Sequence, residues 1–292
     1  MRKFFFVFMI IPFLFACRSK PPVIEPEQNP SAELILEHIE AHSINKFTLH
    51  YRLIAVNPRS IPATIIINDW TGQIDETKMS NNYTVLLLEG SDLNTPFLME
   101  PVSSTEKKLA LEIDLSKQPV FANSSAESDH YSINITLNMG FTYGQQTKYN
   151  YLVSTDSVFP RIKEPQFSII SIAILQAELI NTRFRVRIKI DNPNIFPVAL
   201  SSFSYELYGN GKFWTDGREK ELLDIPALSS GETNIYLMMN FINMSRQLLD
   251  DIIAMRDVSY RFLGEAEVKT NMALLPGFRM NFERSGNSPV YR

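Results

Sequence analysis

Several residues of this chain have types and spacings that could do chemistry. His38 and His42, in "HIEAH", stand four apart, which suits two metal ligands on one helix face. The surrounding "ELILEHIEAHSIN" also fits a strand, where the two rings share a face but lie roughly 13 Å apart, too far to share a metal. The sequence is not His-Glu-x-x-His, so solvated surface histidines are expected and no metal site; His50 and His130 show no partner pattern. Asp250-Asp251 could act as an acid/base pair, but they sit on the polar side of a helix-like stripe. Ser103-Ser104 and Ser229-Ser230 lie in no Gly-x-Ser-x-Gly elbow. Gly209-Asn210-Gly211 lacks the rest of a dinucleotide-binding fingerprint and reads as a tight turn. No catalytic residue, metal or cofactor follows, and the chain is not expected to be an enzyme. The remaining candidate is electrostatic. Arg183, Arg185, Arg187 and Lys189 share one parity, so a strand would place four cations in a row opposite Phe184, Val186, Ile188 and Ile190. Such a row fits contact with anionic headgroups or an acidic partner; the alternative is a solvated strand face paired with neighbouring carboxylates.

Cys17 is the only cysteine in 292 residues, which rules out an intramolecular disulfide and a Cys-based metal site. It follows a basic start, Met1-Arg2-Lys3, and an apolar run from Phe4 to Ala16. That run is too short for a spanning helix and has the length of a signal-peptide core. Its end, "LFAC", resembles a bacterial lipobox, with Phe15 where most have a small residue. The resemblance implies cleavage after residue 16 and lipidation of Cys17; an ordinary signal peptide with a chance Cys is the alternative. Residues 17–32 are rich in proline and read as an extended tether. Loss of residues 1–16 would leave 26 basic against 32 acidic residues, a balance of −6 that argues against a nucleic-acid partner.

The remainder of the chain repeats itself. Asn57-Pro58 aligns with Asn192-Pro193, and Pro62 with Pro197, at an offset of 135. Leu49, Tyr51, Leu53 and Ala55 then fall on Phe184, Val186, Ile188 and Ile190, alternating with period 2 on both sides. "MEPVSSTEKKLALEIDL" resembles "DIPALSSGETNIYLMMNF" at an offset of 125 or 126, and "YSINITLNMGFTYG" pairs with "DVSYRFLGEAEV". Two β-rich units are expected, at 33–160 and 161–292; one large domain is the alternative. In the second, strands are expected at Phe167–Leu179, Arg183–Ile190, Phe203–Tyr208, Thr233–Phe241 and Phe278–Phe282, with a hairpin turning at Gly264. A short helix is expected over "NMSRQLLDDIIAMRD", with Leu248, Leu249, Ile252, Ile253 and Met255 as its apolar stripe. The prolines, which lack a ladder N–H, should end one strand or carry the chain from one sheet to another. These spacings favour mainly β structure: two tandem immunoglobulin/fibronectin-III-like β-sandwiches, the second with one short α-helix.

In the second unit Asn192, Pro193, Asn194, Pro197, Tyr205, Gly211, Ile225, Pro226, Ser229 and Ser230 form an ordered pattern. Through these residues it resembles the late embryogenesis abundant type 2 family, also known as the water-stress and hypersensitive-response domain. The first unit matches with Arg59 in place of Asn194, extra residues around Asp69 to Asn82, and "KQPVFANSSAESDHYS" where the helix stripe would lie. The resemblance implies folded β-sandwich domains and a non-catalytic role in stress tolerance or in protecting proteins and membranes. Together with Cys17 it implies a lipoprotein of a bacterial cell envelope, on the outer membrane or periplasmic face, with the membrane and a lipid or protein as partners. The alternative is a protein that binds lipid or another apolar ligand in a groove between sheets.

Overall fold

A computed structural model describes residues 29–75, 77–79, 84–87, 93–117, 129–144, 147–177, 181–240, 250, 254 and 256–291. Among these the chain is mainly β. The strands are β1 (Ser31–Ser43), β2 (Lys46–Asn57), β3 (Ala63–Ile74), β4 (Thr77–Met79), β5 (Thr84–Leu87), β6 (Phe97–Met99), β7 (Ser103–Asp114), β8 (His130–Tyr143) and β9 (Thr147–Pro160). The second half holds β10 (Gln166–Ala177), β11 (Asn181–Asn192), β12 (Val198–Gly209), β13 (Lys212–Ile225), β14 (Ser229–Asn240), β15 (Val258–Thr270), β16 (Gly277–Ser288) and β17 (Val290–Tyr291).

Three sheets result. The first runs β13-β12-β15-β16-β1-β2-β7-β5, the second β14-β11-β10-β17, and the third β4-β3-β8-β9 with β6 beside β3. Pairing is antiparallel except where β1 meets β16 and β10 meets β17. The eight-stranded sheet therefore crosses between the two halves at β1–β16, with Ala41 opposite Phe278.

Alternation builds the core. In β2, Phe47, Leu49, Tyr51, Leu53 and Ala55 are buried, as are Phe184, Val186, Ile188 and Ile190 in β11. Rings join the sheets. Phe47 of the first sheet meets Tyr131 and Phe159 of the third at 5.8 and 5.4 Å between centroids. Phe167 of the second sheet stacks on Phe282 and Phe203 of the first at 4.5 and 5.6 Å. Burying each such side chain is worth roughly 1.5–3 kcal/mol.

The alignment of the halves extends to register. Ala55 lies opposite Ala32 and Ile190 opposite Phe167, each pair offset by 135. Asn57 lies opposite Ser103, as Asn192 lies opposite Ser229. The residues with positive φ pair off as well: Asp75 (44°) with Asn210 (48°), and Val102 (46°) with Leu228 (50°). Asp75 donates its N–H to Ser132 O at 2.9 Å and accepts Ser132 N–H on its carboxylate; Asn210 makes the same pair of bonds with Ser259.

The structure departs from the sequence reading in three places. Gly264 is no turn: β15 runs straight through it, opposite Phe282 on one side and Tyr205 on the other. The glycine serves close approach, because a Cβ there would lie 2.0 Å from the Ser204 carbonyl oxygen. Residues 212–225 form a 14-residue strand that the sequence had given no element. The expected helix falls mostly on residues outside those described. Ala254 donates its N–H to the Asp250 carbonyl at 2.9 Å, and no α-helical element is defined among the described residues.

Candidate functional site

Among the described residues, three of the six buried polar ones, Asn57, Asn192 and Asn194, stand at the two Asn-Pro corners. Each corner carries the chain from one sheet to the next, β2 to β3 and β11 to β12. Pro58 and Pro193 follow the last ladder residues, and Pro62 and Pro197 precede the next strands, so no ladder bond is lost. Asn57 and Asn192 are buried beside them, at 0% and 2% exposure. Their side chains satisfy backbone groups that the turns leave unpaired. Asn57 Nδ2 donates to Ile61 O at 2.9 Å and Glu100 O at 3.0 Å; Asn192 Nδ2 donates to Phe196 O at 2.9 Å and Pro226 O at 3.0 Å. Their Oδ1 atoms accept the N–H of Arg59 and of Asn194, at 3.1 and 3.0 Å.

Beyond that shared core the corners differ. Asn194 is fully buried, and its carboxamide pairs with the backbone of Lys163 in both directions: Lys163 N–H donates to Oδ1 at 2.7 Å, and Nδ2 donates to Lys163 O at 2.8 Å. Lys163 lies in the segment between the halves, and its ammonium is paired with Asp129 of the first half. Arg161 anchors the same segment, ion-paired with Asp75 and stacked 4.1 Å over the Tyr131 ring. In the first half Arg59 stands where Asn194 stands in the second. Its guanidinium lies 4.6 and 4.7 Å from the rings of Tyr143 and Tyr149.

The cation row lies where the alternation places it. Arg183, Arg185 and Arg187 are exposed on β11 and Lys189 is half-buried, on the face opposite the core. Among the described residues two of the four have carboxylate partners: Arg187 pairs with Glu232, and Lys189 with Asp191 at 2.7 Å. Arg183 lies 5.5 Å over the Tyr236 ring. The sequence reading stopped at the cations and missed Tyr236 and Met238, which are 53% and 68% exposed beside them. The signal was the parity of β14: Ile235 and Leu237 are buried, so Tyr236 and Met238 must point outward.

Among the described residues no group of three or more His, Cys, Asp or Glu is arranged to hold a metal. His38 instead stacks on His50 across the β1–β2 ladder, 4.1 Å between centroids with planes 7° apart. Glu40 lies 3.5 Å from His50 Nε2. Burial and then the neighbouring His38 charge push the His50 pKa down, against a smaller upward pull from Glu40. His42 shares a hydrogen bond with Thr48 Oγ1 at 2.9 Å.

A depression of about 630 Å³ on the first sheet is bordered by Glu206, Asp216, Glu265 and Glu283, with Tyr205 among its other walls. Burial, then Glu219 and Asp216, push the Tyr205 hydroxyl up to about 12. Four carboxylates around an open dish are not the lining an apolar ligand takes. Cys17 and Asp251 lie outside the described residues, and no described helix is long and apolar enough to cross a membrane.

No curated protein matches the chain. Among solved structures, a protein from Archaeoglobus fulgidus is 14% identical, over 44% of this chain and 96% of its own, with a TM-score of 0.27. One from Arabidopsis thaliana is 12% identical, over 46% and 86%, with a TM-score of 0.35. The periplasmic chaperone SfaE is 10% identical, over 90% and 100%, with a TM-score of 0.25. Likenesses this weak carry no argument about function. Residues 187–285, from the middle of β11 to β16 and including the whole second corner, match the family model described as Late embryogenesis abundant protein, and that stretch is similar to this family.

Proposed function

We propose that the protein is a non-enzymatic lipoprotein of a bacterial cell envelope, with two tandem late embryogenesis abundant type 2 β-sandwiches that act as a stress-protective or interaction module. The observation that carries this reading is the family match over residues 187–285, supported by the corner chemistry repeated at Asn57 and Asn192. In this reading the first sandwich pairs β1-β2-β7-β5 with the third sheet, and the second pairs the β14 sheet with β13-β12-β15-β16. Acylated Cys17 tethers the body through the proline-rich segment, since each buried methylene adds about 0.8 kcal/mol and more than one chain makes the anchor lasting.

Two measurements test this. Mass spectrometry of the chain isolated from bacterial membranes should find Cys17 as the first residue and acylated; an unmodified Cys17 overturns the tether. The body should slow heat- or drying-induced aggregation of a test enzyme at modest molar ratio. Protection no better than that of an inert protein overturns the stress-protective role.

A further inference from the structure

We propose that the outer face of the β11–β14 ladder is a docking surface for anionic phospholipid headgroups. The inference deepens the envelope reading by naming what the second half touches, and it rests on that reading only for where the chain is held.

The argument compares this face with its counterpart in the first half. The two ladders superimpose in register, Asn57 opposite Ser103 and Asn192 opposite Ser229. On the β2–β7 ladder the outward pairs are Thr48–Glu112, His50–Ala110 and Arg52–Lys108. Its one arginine is neutralised twice, by Glu37 at 2.7 Å and Glu106 at 3.1 Å. At the same positions on the β11–β14 ladder stand Arg183–Met238, Arg185–Tyr236 and Arg187–Asn234. A face with two cations, Arg52 bridged and Lys108 exposed, and with Thr48 and Ala110 buried, thus gives way to a row of three guanidiniums flanked by an exposed ring and an exposed thioether. Among the described residues only Arg187 of the three has a carboxylate partner. The cluster is also local, since the whole chain carries a net charge of −4.

Three features select a lipid surface over an acidic protein. The site is an open sheet face with neighbouring side chains in a plane, as a planar partner requires. Tyrosine is favoured at membrane–water interfaces, where the ring is shielded and the hydroxyl stays hydrated. Arginine beside it keeps its stem on apolar surface and its head among phosphates. An acidic protein would gain from the cations but would have no specific use for Met238.

Co-sedimentation of the full chain with vesicles tests the proposal. Cys17→Ser removes acylation, so the face is tested apart from the tether. Binding to phosphatidylcholine vesicles containing phosphatidylglycerol should exceed binding to phosphatidylcholine alone and should weaken with salt. Arg183→Glu with Arg185→Glu should lower the anionic binding by at least about 30-fold, the effect of losing two cations near a charged leaflet before the repulsion of two added carboxylates. Lys148→Glu with Lys212→Glu changes the net charge equally at exposed sites elsewhere and should lower it less than threefold. Tyr236→Ala with Met238→Ala should reduce binding at high salt, where screening leaves the apolar contact. Equal losses in the two charge-reversal pairs, or equal binding to neutral and anionic vesicles, overturn the proposal. So does binding to an acidic peptide that the vesicles do not compete away. An acylated Cys17 alongside such a result would leave the tether standing and remove only the docking face.

Discussion

The two Asn-Pro corners solve one problem with different parts. In both, a buried Asn holds two carbonyls from the far side of the turn and one N–H from two residues ahead. The remaining acceptor capacity of Asn57 is taken by the Tyr143 hydroxyl at 3.2 Å, that of Asn192 by the Asn194 carboxamide at 2.9 Å. The residue two positions on then decides what the corner is attached to. Asn194 turns inward and clasps Lys163 between the halves, whereas Arg59 turns onto two tyrosines of β8 and β9. The first corner is therefore local to its own half, and the second is also an inter-half fastening. One side chain changes that reach.

The largest effect should come from removing the shared Asn. Asn192→Ala leaves the carbonyls of Phe196 and Pro226 and the N–H of Asn194 unpaired in a buried site. At roughly 1–3 kcal/mol per unsatisfied group, discounted for relaxation, the expected loss is about 3–5 kcal/mol. Asn57→Ala should cost less, because its corner is the less buried of the two at Arg59. Urea titration of both variants checks this; equal losses would show that Asn194 adds nothing to the second corner. The next effect separates the two devices. Asn194→Ala should cost about 2–3 kcal/mol and should speed hydrogen exchange at Lys163, whose N–H it binds. Arg59→Ala should cost about 1 kcal/mol, the worth of a half-buried guanidinium over aromatic rings, and leave Lys163 exchange unchanged.

A third pair should move the other way. Val102 and Leu228 both hold positive φ, and each donates its N–H across its corner, to Arg59 O and Asn194 O at 2.9 and 3.0 Å. Left-handed backbone costs an L-residue with a Cβ roughly 1–2 kcal/mol, most for a β-branched one. Glycine relieves that strain but gives back part of it through the unfolded chain's entropy. Val102→Gly should therefore raise stability by about 0.5–1 kcal/mol and Leu228→Gly by somewhat less, as thermal unfolding would show. Destabilisation by both would mean the exposed side chains do something that the backbone account omits.

What could be read beforehand followed from chain-local physics. Period-2 alternation marked β2 and β11, and proline's missing N–H marked their ends, because both are properties of the residues themselves. Asn210 and Gly211 did announce their turn. Gly264 misled, since a glycine needed for a turn and one needed for close approach look alike in sequence, and only the position of Ser204 O distinguishes them. β13 was missed because "DGREKE" carries no alternating apolar signal; at the sheet edge its ladder to β12 holds it. Asn194 was visible as part of a motif, but its partner Lys163 lies 31 residues earlier in the chain. Cross-strand neighbours such as His38 and His50 are set by ladder register, which sequence spacing does not encode.

That histidine pair supplies the smallest effect and the last contrast between the halves, since the β11 residue in the place of His50 is Arg185. Burial and the His38 ring hold the His50 pKa below its ordinary value of 6.5 in the folded state. A histidine whose pKa is depressed by folding binds fewer protons folded than unfolded across that interval. Its contribution is therefore complete above the unfolded pKa and is lost as pH falls through the ordinary histidine range towards the lowered folded value. Glu40, 3.5 Å away, opposes the loss without cancelling it. Thermal midpoints measured between pH 7.5 and 5 should fall with acidity, and His50→Gln, which keeps a polar side chain without a titrating ring, should flatten that slope. Glu40→Gln should steepen it by removing the carboxylate that faces the His50 ring. An unchanged slope in His50→Gln would place the acid sensitivity elsewhere and leave the stacked pair as packing alone.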